Sequence, residues 1–222
     1  MKHFYNIKGV FFDLDGTLFE TAPELVAAAQ KTLEKLGLQT VSPNVIESFI
    51  GKGAENLVRK SIELSASGAS DRYLKLGMDL FYKFYDEIAD QSKAYDGAFD
   101  AVMQLNHKGL KLACVTNKPK HFTHKILKEH KMDQLLDFVV SGDEVEKKKP
   151  DPMPIHLTCH TLQIKPIESI MVGDSCHDID AGYNAGTFVV TVPYGYQSGQ
   201  SIKSNKVDLA VNNLTDLLTV IN

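Results

Sequence analysis

Five short apolar runs recur along the chain, at Ile7 to Phe12, Lys111 to Val115, Phe138 to Ser141, Ser169 to Val172 and Phe188 to Val192. Most are separated by amphipathic stretches long enough to form a helix, and that alternation restricts the chain to few architectures. Strands joined through helices run parallel, and a parallel sheet needs helices on both faces to cover its apolar side chains. The pattern predicts an α/β fold with a doubly wound, Rossmann-like parallel-sheet core. One interval breaks the rhythm. From Phe19 to Tyr95 only helical periodicity is found, over Ala22 to Leu36, Ser42 to Phe49, Ala54 to Leu64 and Ser70 to Ala89. A βα connection normally needs far less chain, so this interval reads as a small helical domain inserted after the first strand. The expected division is a catalytic core of residues 1–18 and 92–222, and a helical cap of residues 19–91 placed to cover the end of the first strand as a lid. Helices packed simply onto the main sheet are the alternative at this point.

Composition removes several classes of partner. A formal net charge of -4, with Lys147-Lys148-Lys149 as the dense basic run, argues against a broad nucleic-acid surface. Cys114, Cys159 and Cys176 are odd in number and lack a paired spacing, which fits a reducing compartment better than a disulfide framework. Met1-Lys2-His3 leads into a short strand and not a long apolar leader, and no run reaches membrane-spanning length. The expected location is the cytoplasm, with no membrane partner. Asn213-Leu214-Thr215 has the form of a glycosylation sequon but reads as a helix start.

Ligands in open α/β sheets bind beyond the carboxyl ends of the strands, so the residues following each strand carry the chemistry. After the first comes Asp13-Leu14-Asp15-Gly16-Thr17. Two acids so close together, at the end of a buried strand, repel unless a cation or a proton offsets them. An acidic β-turn is the plainer alternative. The second strand ends in Thr116-Asn117-Lys118-Pro119, whose hydroxyl and amide suit a phosphoryl oxygen or, equally, a helix cap. After the third, Lys149 precedes Pro150, which restricts its backbone and holds its ammonium in a defined direction, while Lys147 and Lys148 read as solvated. The fourth ends in Gly173-Asp174-Ser175-Cys176-His177-Asp178. If its strand lies beside the first, Asp13 and Asp174 present hard oxygen ligands suited to Mg2+. Asp178 at a helix start is open to a capping role.

These four segments, in this order after predicted strands, resemble the four motifs of the haloacid dehalogenase superfamily. The resemblance implies that Asp13 is a nucleophile forming an aspartyl-phosphate, and that Asp15 is first general acid and then general base. It implies that Thr116, Asn117 and Lys149 hold the phosphoryl group. Mg2+ would bind Asp13, the main-chain oxygen of Asp15 and Asp174, with Asp178 acting through water. Dehalogenases and the phosphonate-cleaving branch lack an acid where Asp15 stands, so the resemblance implies phosphate ester hydrolysis. Glu20-Thr21-Ala22-Pro23-Glu24-Leu25, Ile50-Gly51-Lys52-Gly53-Ala54 and Pro193-Tyr194-Gly195-Tyr196 are similar to the bacterial phosphoglycolate phosphatase branch. The implied partner is a small phosphorylated metabolite, 2-phosphoglycolate first. A sugar-phosphate phosphatase or a β-phosphoglucomutase-like phosphomutase of the same fold is the alternative. Lys52, in a glycine-flanked turn, is the expected cap contact for a substrate carboxylate. The chain is expected to act as a monomer or homodimer.

Other candidates are weaker. His156, Cys159 and His160 share a helix face at metal-like spacing but lack further ligands nearby. His121, His124 and His130 read as a mostly solvated face with His121 near the site entrance. Cys176 and His177 read as filler in an acidic loop that disfavours a thiolate.

Overall fold

In the computed structural model, which describes residues 2–66, 70–196 and 204–222, the five expected strands form within two residues of their expected ends. The strands are β1 (Gly9–Phe12), β2 (Phe19–Glu20), β3 (Lys93–Ala94), β4 (Lys111–Val115), β5 (Phe138–Val140), β6 (Ser169–Gly173), β7 (Phe188–Thr191) and β8 (Leu209–Ala210). The main sheet has the order β5-β4-β1-β6-β7-β8 and every pairing in it is parallel. Its edge strand β8 and the antiparallel pair β2–β3 were not foreseen from the sequence. Two residues are too few to show a period, and β2–β3 joins Phe19 to Ala94 across the whole helical interval.

Side chains alternate across β1, and the core follows that alternation. Val10 and Phe12 pack with helices α5 (Ala98–His107), α6 (Lys120–Glu129) and α9 (Leu217–Val220). Phe11 faces the other way, into a cluster with Ile155 of α7 (Met153–Leu162) and Ala181 of α8 (Cys176–Ala185). Asn213 accepts from the Thr215 N–H and opens the short turn leading to α9, the helix start that the sequence suggested.

The four helices of the interval are α1 (Ala22–Lys35), α2 (Pro43–Glu47), α3 (Ala54–Ser65) and α4 (Ser70–Asp86). Helix α1 begins with Pro23 and Glu24 and ends at Lys35, favourable residues for its two ends, and buries Leu25, Ala29, Thr32 and Leu33 on one stripe. That stripe meets Ile46, Ile62, Phe81 and Tyr85 from the other three helices, in an apolar cluster separate from those of the sheet. Phe122 of α6 is the buried core-side residue that enters this cluster. Among the described residues, no helix is long and apolar enough to cross a membrane.

Candidate active site

Strand β1 lies between β4 and β6, from which the chain continues toward opposite sides of the sheet, so the carboxyl ends there frame a crevice. The Asp13 N–H donates to the Val172 carbonyl at 2.9 Å, which ties the first acid to the end of β6. The chain then turns tightly, with the N–H groups of Leu18 and Phe19 both donating to the Leu14 carbonyl. Gly16 adopts φ of 82° in this turn, and a Cβ there would lie 2.6 Å from Asp174 Oδ2. Glycine is therefore required both by backbone conformation and by the approach of the second acid.

Three buried carboxylates meet in the crevice. Oxygens of Asp13, Asp174 and Asp178 lie within 4.8 Å of one another. Burial, reinforced by the Asp178 charge, pushes the Asp13 carboxyl up to about 7 against the pull of Lys149. The Lys149 ammonium is 2.8 Å from Asp13 Oδ1 and 2.6 Å from Asp178 Oδ1, and it donates to the Val115 carbonyl at 2.6 Å. Burial alone would lower the Lys149 pKa, but the Asp13 and Asp178 charges outweigh it and hold the ammonium above the ordinary lysine range. Asp178 Oδ2 accepts from the Ser175 N–H and hydroxyl, so this acid caps α8 and steadies Lys149 at once. Asp174 is held by the Thr17 hydroxyl at 3.2 Å and the Tyr196 N–H at 2.7 Å. Three buried carboxylates whose oxygens converge, with one lysine between them, form a donor set that fits a hard divalent cation.

The second acid of the turn faces a different partner. Asp15 Oδ1 accepts from the Thr21 hydroxyl at 2.6 Å and from the Lys118 ammonium at 2.8 Å. Sequence reasoning missed Lys118 because nothing local distinguishes it from a loop lysine, yet its side chain is only 2% exposed. Thr116 is buried at the end of β4, and its hydroxyl accepts from the Lys118 N–H at 3.2 Å. The Asn117 amide donates to the carbonyls of Gly51 and Lys149 at 3.0 and 2.9 Å, which joins the cap-side turn to the lysine loop. Above these groups is a small cavity, with Asp13, Asp15, Thr116 and Lys118 on the sheet side and Phe81 and Tyr85 on the helical side. Phe81 stacks on Tyr85 at 5.7 Å, and Tyr85 meets the edge of Phe122 at 4.8 Å, forming an aromatic seam between helices and sheet edge.

A family model described as haloacid dehalogenase-like hydrolase matches residues 10–192, which takes in all of these groups except Tyr196. The chain belongs to the haloacid dehalogenase-like hydrolase family. A phosphoglycolate phosphatase of Nitrosospira multiformis is 39% identical over 217 residues, covering 97% of this chain and 96% of its own. One from Photobacterium profundum is 34% identical, covering 100% and 98%. A crystal structure of a predicted phosphoglycolate phosphatase from Haemophilus somnus superposes with a TM-score of 0.92 at 30% identity, covering 97% of this chain and 98% of that one.

Several other expected positions of this hydrolase differ in place. Gly51 and Gly53 line the cavity, whereas Lys52 between them is exposed and is not part of the wall. Its charge acts on Cys176 and His177. His121 is exposed and pairs with Asp86 at 2.6 Å, with its ring against Phe122 of the cavity wall. His130 is no solvated residue: its Nε2 is 2.7 Å from the Ser92 carbonyl and its ring lies against Phe19 at 4.9 Å, because the end of α6 turns toward the neck of the helical interval. Cys159 is buried in the core while His156 and His160 are exposed.

Gly142 shows how tightly the loops after β4 and β5 are packed. Its N–H donates to the Lys118 carbonyl, and a Cβ there would lie 2.3 Å from the main-chain oxygen of Asn117. Neither partner is a movable side-chain end. Gly142→Ala is expected to cost about 1–3 kcal/mol in urea unfolding and to lower turnover by shifting Thr116 and Lys118. Unchanged stability and rate would show that the loops yield without cost.

Proposed function

We propose that the chain is a phosphatase that hydrolyses 2-phosphoglycolate with Mg2+, through an aspartyl-phosphate on Asp13. The observation that carries the reading is the buried Asp13 carboxylate, beside Lys149 and Asp174 and with a second acid two residues on, facing a cavity. The names of the relatives support phosphoglycolate as the substrate. Helices of residues 19–91 act in this reading as the cap over the cavity, and three unpaired cysteines suit work in the cytoplasm.

Asp13, Asp174 and the Asp15 main-chain oxygen would hold Mg2+, which supplies charge neutralisation where a carboxylate approaches a phosphate. The Asp13 carboxylate attacks phosphorus as the bond to the ester oxygen breaks. Asp15 gives that oxygen its proton, so the alcohol leaves neutral. Lys149 and the Thr116 hydroxyl hold the phosphoryl oxygens during transfer, where positioning and charge stabilisation matter most. Asp15, now a carboxylate, takes a proton from the water that cleaves the aspartyl-phosphate, which releases phosphate and restores Asp13. The test is phosphate release across a panel of small phosphorylated acids and sugars. Preference for 2-phosphoglycolate with no isomerised sugar phosphate is expected, and a sugar ester hydrolysed far faster would overturn the substrate.

Ligation requires the ionised form of Asp13, whose carboxyl is raised to about 7 by burial and by Asp178. Below that pH, binding must expel a proton, so Mg2+ affinity should rise roughly tenfold per pH unit and then level off above it. Calorimetric titration from about pH 5.5 to about pH 8 checks this, and a flat profile would remove Asp13 from the ligand set. Asp174→Asn should weaken Mg2+ binding across the whole range.

A further inference from the structure

Two buried polar groups on the cavity wall have more hydrogen-bonding capacity than the protein uses. The Lys118 ammonium carries three donors. One goes to Asp15 Oδ1 and one faces the Tyr85 hydroxyl oxygen, which leaves a third in a side chain only 2% exposed. Tyr85, near the end of α4, is 1% exposed, and its hydroxyl, whose oxygen faces the Lys118 ammonium, has no acceptor for its own proton. Burial pushes this phenol up to about 12, so it stays a donor. The two groups are neighbours, with Lys118 Nζ 4.8 Å from the centroid of the Tyr85 ring, and both line the cavity that contains Asp13 and Asp15. Buried donors left unmade are costly, and their presence together on one wall calls for an acceptor inside the cavity. An ammonium and a phenol that converge select an anionic acceptor with two oxygens.

We infer that Lys118 and Tyr85 form the binding point for the carboxylate of the substrate, at the end opposite the transferred phosphate. This deepens the proposed function and rests on it. The ester oxygen must meet Asp15 to receive its proton, and in a two-carbon acid the carboxyl carbon is two bonds from that oxygen. Lys118, held on Asp15, lies within that reach. Lys52 does not share the wall. Lys118 comes from the sheet edge and Tyr85 from the helical layer, so the binding point is complete only when the two layers are apposed.

The test reads the ratio of kcat/KM for 2-phosphoglycolate to that for ethyl phosphate, in which a methyl group replaces the carboxylate, using the full chain with Mg2+. Each variant is compared with the parent, which cancels the intrinsic reactivity of the two esters. Tyr85→Phe should lower the ratio about tenfold and Lys118→Met about a hundredfold, the range for losing a neutral and a charged donor to a carboxylate. Tyr85→Phe keeps the ring in its apolar cluster and should stay close to the parent Tm, so its lost ratio cannot be ascribed to misfolding. Equal losses on both esters would overturn the assignment and make Lys118 a positioning residue for Asp15. A parent protein that hydrolyses phosphate esters with no preference for a carboxylate would overturn the substrate reading. Preference kept in both variants would overturn the binding point alone.

Discussion

Asp13→Asn should abolish phosphate release by about 10⁵-fold or more, and should do so in a protein that is folded and, without divalent metal, more stable than the parent. The two halves of this result have one cause. The Asp13 carboxyl is buried at the end of β1 beside Asp178, and its pKa is raised from 3.8 to about 7 despite Lys149. A carboxyl with a raised folded pKa contributes most stability below its unfolded value, and that contribution is lost as pH rises toward the folded one. At about pH 8 the ionised group therefore costs the metal-free protein stability, and a neutral amide of the same shape removes the cost. The amide cannot act as a nucleophile or contribute an anionic ligand, so chemistry is lost while packing is kept. Phosphate release and thermal unfolding in EDTA, run on the same preparations, check both halves. Turnover at the parent rate would remove Asp13 as nucleophile, and a lower Tm would show that the carboxylate is a structural requirement.

Lys149→Met carries the second large effect and strikes fold and chemistry together. Its ammonium faces Asp13 and Asp178 at 2.8 and 2.6 Å with its side chain 1% exposed, so removal leaves two buried acids uncompensated. Breaking a buried pair in this way costs about 3–5 kcal/mol, and the loss of a charge aimed at the phosphoryl oxygens should lower kcat by about 10²–10³. The pKa of Lys149 is shifted upward, so its contribution is present through the neutral range and is lost only as pH rises through the folded value. The deficit of the variant should nevertheless shrink on acidification, as Asp13 takes up its proton below about 7 and needs a counter-charge less. Urea unfolding at about pH 8 and about pH 5.5 measures both values. A deficit independent of pH would show that packing of the lysine stem, and not its charge, is what the protein loses.

The site was legible where function follows strand ends. Asp13, Thr116 and Asp174 gather because each is the residue just beyond a buried parallel strand, and an apolar run that ends in a polar residue marks that position in any α/β chain. Lys149 was legible through the proline after it. Lys118 was not, because its partner Asp15 is 103 residues away and only the closed sheet makes the two neighbours. Asn117 was legible as a polar group at the edge, but its bonds to Gly51 and Lys149 depend on where two loops come to rest. Phe122 illustrates the same limit in packing: periodicity marks it as apolar-facing, yet its ring enters the cluster of the four-helix layer and not the core beneath α6. The strands β2, β3 and β8 escaped because pairing over two residues is a property of the assembled chain and leaves no pattern in either partner.

The aromatic seam of Phe81, Tyr85 and Phe122 closes the cavity and is also part of its wall. On the proposed reading, a movement of α4 away from the sheet edge would carry Tyr85 away from Phe122 and from Lys118 together. The same side chain would then both border the cavity and read its contents. In that case a small phosphate would enter before it is inspected, and discrimination would fall at the moment of closure.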